Sequence, residues 1–188
     1  MGRLIVFNNV SLDGYFVDRN GSMDWSRHER TDPEWNAFVS ANASENGTLV
    51  MGRLTYELMI RYWPTPLAKQ HDPVVAEGMN RMPKVVFSRT LKEMSWNNTR
   101  LVRDGLAGEI RRMKRECRDG MAILGSGSIV AQLTEEKLID EYHFVVNPVI
   151  LGAGRTMFDG VTQKMELKLN GSRAFQNGYV VVQYGTVS

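Results

Sequence analysis

Apolar residues come in short blocks separated by polar, glycine- and proline-bearing segments. Leu4 to Phe7 is a four-residue apolar run that reaches Asn8 and Asn9 at once, as suits a strand buried on both faces. A polar stretch follows, from Asp13 to Thr31. Asp32-Pro33 then has the form of a helix N-cap with proline in the first turn. Trp35, Phe38 and Val39 recur on one helical face, predicting a helix that ends near Asn46-Gly47. Thr48 to Met51 is a second apolar run, stopped at Gly52-Arg53 before a helical segment from Leu54 to Ile60. Trp63-Pro64-Thr65-Pro66 predicts irregular chain, because each proline disfavours helix in its predecessor.

Lys84 to Phe87 predicts a strand ending at Ser88-Arg89. Leu106, Ile110, Met113 and Cys117 recur at spacings of four, three and four, which predicts an amphipathic helix. Met121 to Leu124 is a further buried strand, running through Gly125-Ser126-Gly127-Ser128 into a helix with Ile129, Val130 and Leu133 on its face. This alternation of strand and helix predicts a largely parallel sheet covered on both faces. After Leu138 the grammar changes. Tyr142 to Leu151, Met165 to Leu169 and Tyr179 to Tyr184 are strand-like with turns between them and no helical period, so the chain should end in antiparallel hairpins.

Composition narrows this picture without redirecting it. The 188 residues predict one domain spanning 1–188, and 43% hydrophobic with 23% charged residues is a globular balance. A net charge of +2 is too weak to imply a nucleic-acid partner. The densest basic run, Arg111 to Arg118, is interrupted by Glu116 and reads as the solvated face of the amphipathic helix. Cys117 is the only cysteine, which excludes an internal disulfide and a Cys-clustered zinc site. His28, His71 and His143 have no metal-ligand spacing, so no metal is expected. The start is neither a signal peptide nor a membrane span, and a cytoplasmic location is the expectation.

The candidate chemistry lies where strands run into helices. Glycines in Gly125-Ser126-Gly127-Ser128 let backbone approach a ligand, and the helix behind them directs amides and a positive dipole end toward it, as suits a pyrophosphate. The same glycines could serve only as steric relief. GxGxxG would need glycine where Val130 stands, and no Gly-Lys-Ser/Thr run exists, so neither standard nucleotide motif applies. Gly52-Arg53-Leu54-Thr55 places a guanidinium and a hydroxyl at a second helix start. Arg53 could hold phosphate or pair with Glu57 four residues on. Ser88-Arg89-Thr90 repeats the chemistry at a third strand end. Ligands in open α/β sheets gather at the strands' carboxyl ends, so three such junctions together favour an anionic cofactor.

Ser11-Leu12-Asp13-Gly14-Tyr15, Met23-Asp24-Trp25, Val50 to Glu57, Val85 to Arg89, Ile123 to Ser128 and Asn147 to Arg155 occur in the order found in dihydrofolate-reductase-like proteins. The chain resembles most closely the branch grouped with the C-terminal reductase domain of the bifunctional riboflavin-biosynthesis deaminase-reductase. This resemblance implies a three-layer α/β fold, with a central mixed, mostly parallel sheet, helices on both faces and a C-terminal antiparallel hairpin. It also implies an NADPH-dependent oxidoreductase acting on a small-molecule substrate, pterin- or pyrimidine-like or carbonyl-bearing, and suggests a homodimer.

Carried over by motif, Gly52, Arg53 and Thr55 would meet the cofactor's phosphates, and Ser88 and Arg89 its 2′-phosphate. Gly125, Ser126, Gly127, Ser128 and Ile129 would hold the pyrophosphate, while Asn9 and Phe16 would flank the nicotinamide. Asp13 and Tyr15 begin a loop closing over the site, and Trp25 and Tyr56, with Trp35 and Trp63, could form an aromatic substrate wall or pack the core. Asp32 and Glu34 lie near the position of the carboxylate that supports protonation in dihydrofolate reductases, though Asp32 also reads as a helix cap. The chain has no zinc deaminase motif, and carries Met51-Gly52-Arg53-Leu54-Thr55-Tyr56 where the riboflavin reductase domain usually has an aspartate-containing sequence. A riboflavin-pathway 5-amino-6-(5-phosphoribosylamino)uracil reductase, a true dihydrofolate reductase and a non-catalytic nucleotide-binding module remain the alternatives.

Overall fold

The structure, a computed structural model, describes residues 2–26 and 31–187. Strands β1 (Leu4–Ser11), β3 (Thr48–Gly52), β4 (Lys84–Phe87), β5 (Thr99–Val102), β6 (Met121–Leu124), β7 (Glu141–Asn147), β9 (Leu167–Ala174) and β10 (Val180–Thr186) form one eight-stranded sheet. Its order is β5-β4-β3-β6-β1-β7-β10-β9. β5 through β7 are all parallel, and β10 pairs antiparallel with both β7 and β9. Two short strands, β2 (Tyr15–Asp18) and β8 (Gly154–Thr156), make a separate antiparallel ribbon.

Strand alternation sorts the core into two sides. Leu4, Val6, Val50, Val85 and Ile123 face helices α5 (Leu106–Glu116) and α6 (Gly127–Glu135), meeting Ile110, Met113, Val130 and Leu133. Their neighbours Leu49, Met51 and Val86 point the other way, toward α2 (Arg53–Ile60) and α4 (Pro73–Arg81). That opposition is the period-two consequence of the pleat. α1 (Pro33–Ser44) covers the same side further along, where Trp35 packs on Phe175 and Tyr179 with ring centroids 5.1 Å from each, beside Val145 and Val181. The mixed sheet, the two helical layers and the terminal hairpin are those the resemblance implies.

The sequence pattern missed some elements and shifted others. α3 (Pro66–His71) and α4 each start on a proline at N1 or N2, inside and just after the segment expected to be irregular. Proline excludes helix from the residue before it but suits the first turn. β7 stops at Asn147 rather than Leu151, because Pro148 has no N–H for the ladder. β9 starts at Leu167 rather than Met165. Among the described residues no helix is long and apolar enough to cross a membrane.

Candidate active site

The carboxyl ends of β1, β6 and β3 lie side by side in the middle of the sheet, and the chain leaves each at a residue singled out above. After β6, Gly125 and Ser126 both adopt left-handed backbone, with φ of +60° and +59°. For serine this costs about 1 kcal/mol or more, and its hydroxyl makes two contacts across the site. Ser126 Oγ accepts the Gly52 N–H at 2.6 Å and lies 2.9 Å from Thr55 Oγ1. The turn after β6 is thereby tied to the start of α2.

From the other side, Asn8 holds the same turn. Its Oδ1 accepts the Gly125 N–H at 2.5 Å and its Nδ2 reaches the Gly125 carbonyl at 3.5 Å and Met157 Sδ at 3.6 Å. The motifs pointed to Asn9, but the residue that grips the turn is Asn8, 3% exposed. The signal was present: Leu4, Val6 and Asn8 form the inward set of β1, and an amide on that face needs a buried partner. Asn9 instead accepts from Asn147 Nδ2 at 3.1 Å.

The glycines are where backbone or side chain comes closest. A Cβ on Gly125 would stand 2.6 Å from Thr55 Oγ1, and one on Gly127 would stand 2.9 Å from two ring carbons of Phe16. A Cβ on Gly52 would lie 3.3 Å from Ser126 Oγ and 3.5 Å from Ile129 Cδ1. Neither α2 nor α6 has a side-chain N-cap bond. The Gly52 N–H is taken by Ser126 Oγ and the Ile129 N–H by the Ser126 carbonyl at 2.9 Å, while the N–H groups between cap and third helical residue have no intrahelical acceptor, so two positive helix ends open on one edge, with Ser128 in the first turn of α6. This donor set suits the pyrophosphate of a dinucleotide.

The cationic candidates have protein partners. Arg53 Nη1 lies 3.0 Å from both carboxylate oxygens of Glu57, the helical pair weighed as the alternative to phosphate binding. Arg89 Nε donates to Asp104 at 2.9 Å with both side chains largely exposed, so solvent screens the pair and leaves Arg89 exchangeable. Ser88 Oγ accepts the N–H groups of Thr90 and Leu91.

The catalytic and substrate candidates do not converge. The Asp32 carboxylate accepts N–H bonds from Glu34 at 2.9 Å, Trp35 at 3.2 Å and Asn177 at 3.1 Å. Burial pushes its pKa up, but these backbone bonds outweigh it and hold the carboxyl below its ordinary value. It is a cap that also fastens the β9–β10 turn. Glu34 pairs with Arg173 on the surface. Tyr56 is 3% exposed, with its hydroxyl accepting from Ser95 and Trp96, and so belongs to the core. Trp35 lies in a different cluster and Trp63 packs on Tyr62, so the four rings make no common wall. Trp25 donates to the Ser22 carbonyl at 3.2 Å.

Asp13 and Tyr15 do sit over the carboxyl edge. Asp13 accepts from Leu151 and Gly152 N–H at 3.1 and 2.8 Å, and the Tyr15 N–H donates to Ser11 Oγ at 2.9 Å. The Ser11 hydroxyl, followed by the backbone donors, holds the Asp13 pKa below its ordinary value against the opposing effect of burial. The β1–β2 and β7–β8 loops are in this way fastened together. His28 lies outside the described residues. His71 ends α3, and His143 Nε2 bonds Glu141 at 2.8 Å. Among the described residues no group of three His, Cys, Asp or Glu is arranged to hold a metal. Two cavities of about 410 and 380 Å³ open elsewhere, the first at the amino edge beside Thr48, Lys84 and Thr99.

Residues 3–181 match the sequence profile of the RibD C-terminal domain. The uncharacterized protein YyaP of Bacillus subtilis is 28% identical over 97% of this chain and 94% of its own. A protein from Shewanella sp. PV-4, named provisionally for riboflavin biosynthesis, superposes with a TM-score of 0.75 at 22% identity over 99% of both chains. RibD of Acinetobacter baumannii superposes at 0.71 and 15% identity, over all of this chain and 59% of that longer one.

Proposed function

The chain belongs to the RibD C-terminal domain family, a family of oxidoreductase domains, and on that premise we propose that it is an NADPH-dependent reductase of a small heterocyclic or carbonyl-bearing substrate. One observation carries the cofactor: two helix N-termini without side-chain caps converge on a turn of consecutive left-handed residues at the sheet's carboxyl edge. In this reading Thr55 and the Gly125 to Ser128 turn hold the pyrophosphate, with Gly52 and Ile129 lining its floor. Ser88 and Arg89 meet the 2′-phosphate, for which Arg89 exchanges its exposed pairing with Asp104. Asn9 and Phe16 border the nicotinamide, and Asp13, Tyr15 and Trp25 border the substrate. Bound there, NADPH supplies the hydride. Asn8 acts earlier, fixing the turn before cofactor arrives.

The test is a titration of the purified protein with NADPH and NADH. Tighter binding of NADPH is expected, with Arg89→Ala narrowing the gap; equal affinities would remove the 2′-phosphate role. NADPH oxidation with dihydrofolate and with the phosphorylated ribosylaminouracil then separates the pterin and riboflavin-pathway readings. Stabilisation by cofactor without turnover across a substrate panel would favour a nucleotide-binding module instead.

A further inference from the structure

Asn147 is the last residue of β7, and Asn9 lies beside it in β1, where the register sets Asn9 against Val145 and Ser11 against Asn147. Both continue the face of the sheet that carries Phe7 and Val145, which pack with Trp35 and Phe38 of α1. Asn8, on the opposite face, holds the turn after β6. The two carboxamides therefore stand at the carboxyl end of the sheet on its α1 side.

Backbone carbonyls dictate which way these amides point. Asn147 Nδ2 lies 2.9 Å from the Val145 carbonyl and 3.2 Å from that of Val10, so the amino end of the group must face them. It also donates to Asn9 Oδ1 at 3.1 Å, which turns the oxygen of Asn9 inward and its Nδ2 away. Asn9 Nδ2 meets no acceptor among the described residues, and it is not buried. Asn147 is 2% exposed and keeps this arrangement although its own Oδ1 is buried without a partner. A buried acceptor left empty is costly and uncommon, and it marks the pair as more than packing. Building on the reductase reading above, in which Asn9 borders the nicotinamide, we propose that Asn9 Nδ2 donates a hydrogen bond to a ring carbonyl of a heterocyclic substrate. Asn147 is the positioning residue that holds this donor outward.

Dihydrofolate and the phosphorylated ribosylaminouracil, each with a ring carbonyl, serve as probes, titrated by calorimetry into protein loaded with NADP+ so that no hydride is available. At least one should bind the wild type, roughly tenfold more weakly in Asn9→Ala and more weakly still in Asn9→Asp, which sets an acceptor against the carbonyl. NADP+ affinity should hold in both, because the proposed phosphate contacts lie elsewhere. Asn147→Asp presents acceptors where Nδ2 stood, so the Asn9 amide turns its amino end inward and probe binding falls as in Asn9→Ala. The Asn9 side-chain amide resonances, which should move on probe binding in the wild type, then stay still. Asn147→Ala, which only frees the Asn9 amide, should lose less, and it replaces Asn147→Asp where melting shows that variant unfolded. Unchanged probe affinity in Asn9→Asp, a loss confined to NADP+, or a wild type that binds neither probe overturns the assignment and leaves the cofactor reading intact. Asn9-dependent probe binding by free protein that ignores both NADPH and NADH would refute the cofactor reading and support the carbonyl site.

Discussion

Replacing Gly125 by alanine probes how tightly the turn after β6 is packed. Gly125 has φ +60°, and an added Cβ would stand 2.6 Å from Thr55 Oγ1 and 3.0 Å from Thr55 Cγ2. The left-handed backbone alone costs a residue with a Cβ about 1–2 kcal/mol. Forcing a methyl into filled space adds roughly 1–3 kcal/mol, and any retreat of Thr55 strains its 2.9 Å contact with Ser126. The total of about 2–5 kcal/mol is a large share of ordinary domain stability. Gly105→Ala is the control, since Gly105 has φ +72° with nothing within 4 Å of the added atom. Urea denaturation should show Gly125→Ala losing about 1–3 kcal/mol more than Gly105→Ala. Adding Thr55→Ala to Gly125→Ala should recover part of that difference, because it removes both clashing atoms. Equal losses at the two glycines, or strict additivity in the double variant, would refute the packing argument.

Three other outcomes follow from the geometry. Asn8→Leu leaves the buried Gly125 N–H without its acceptor; denaturation should show a loss of about 1–3 kcal/mol, and an unchanged midpoint would contradict the clamp. Gly78→Ala places a Cβ 2.0 Å from the Ala43 carbonyl oxygen, so α1 and α4 must separate. About 3 kcal/mol and a melting-point fall of roughly 6–12 °C are expected. Glu109, hydrogen-bonded by Arg112 and Arg100, has its pKa lowered from 4.5 to about 2. A folded-state pKa below the unfolded one gives stability that is present above pH 4.5 and lost as pH falls toward 2. The gap between wild type and Glu109→Gln, about 1 kcal/mol or less for partly solvated pairs, should therefore close across that window in acid titrations. A constant gap down to pH 2 would contradict it.

Where the sequence was legible, its pattern had a single cause. The spacing of Leu106, Ile110 and Met113 reports burial of one helix face, and α5 forms within a residue of the expected bounds. β5 was missed because Thr99-Arg100-Leu101-Val102 is a partly exposed edge strand, without the apolar run of an inner one. β2 and β8 exist by pairing with each other from opposite ends of the chain, Tyr15 with Thr156 and Asp18 with Gly154, which no local period records. β9 is exposed along nearly its whole length, so neither run nor alternation marks its start. In the site, glycine and hydroxyl content found the phosphate-suited turn. The same reasoning offered the Arg53–Glu57 pair and the Asp32 cap, and both form; it could not see that Asp32 also accepts the Asn177 N–H, because that partnership depends on where the β9–β10 turn lies.

The position of β6 bears on how the molecule is assembled. β1 and β3 are not neighbours; each pairs with β6, which is made some 70 residues after β3. During synthesis the first half of the sheet and β1 have no shared edge until Met121 to Leu124 emerge, so the closing event is a late, non-local insertion of the kind that slows folding. The Gly-Ser-Gly turn follows that strand with no residue between. The turn can be gripped by Asn8 of β1 and by Gly52 at the end of β3 only once the strand is in place, so the last piece to join the two halves also completes the edge proposed for the cofactor.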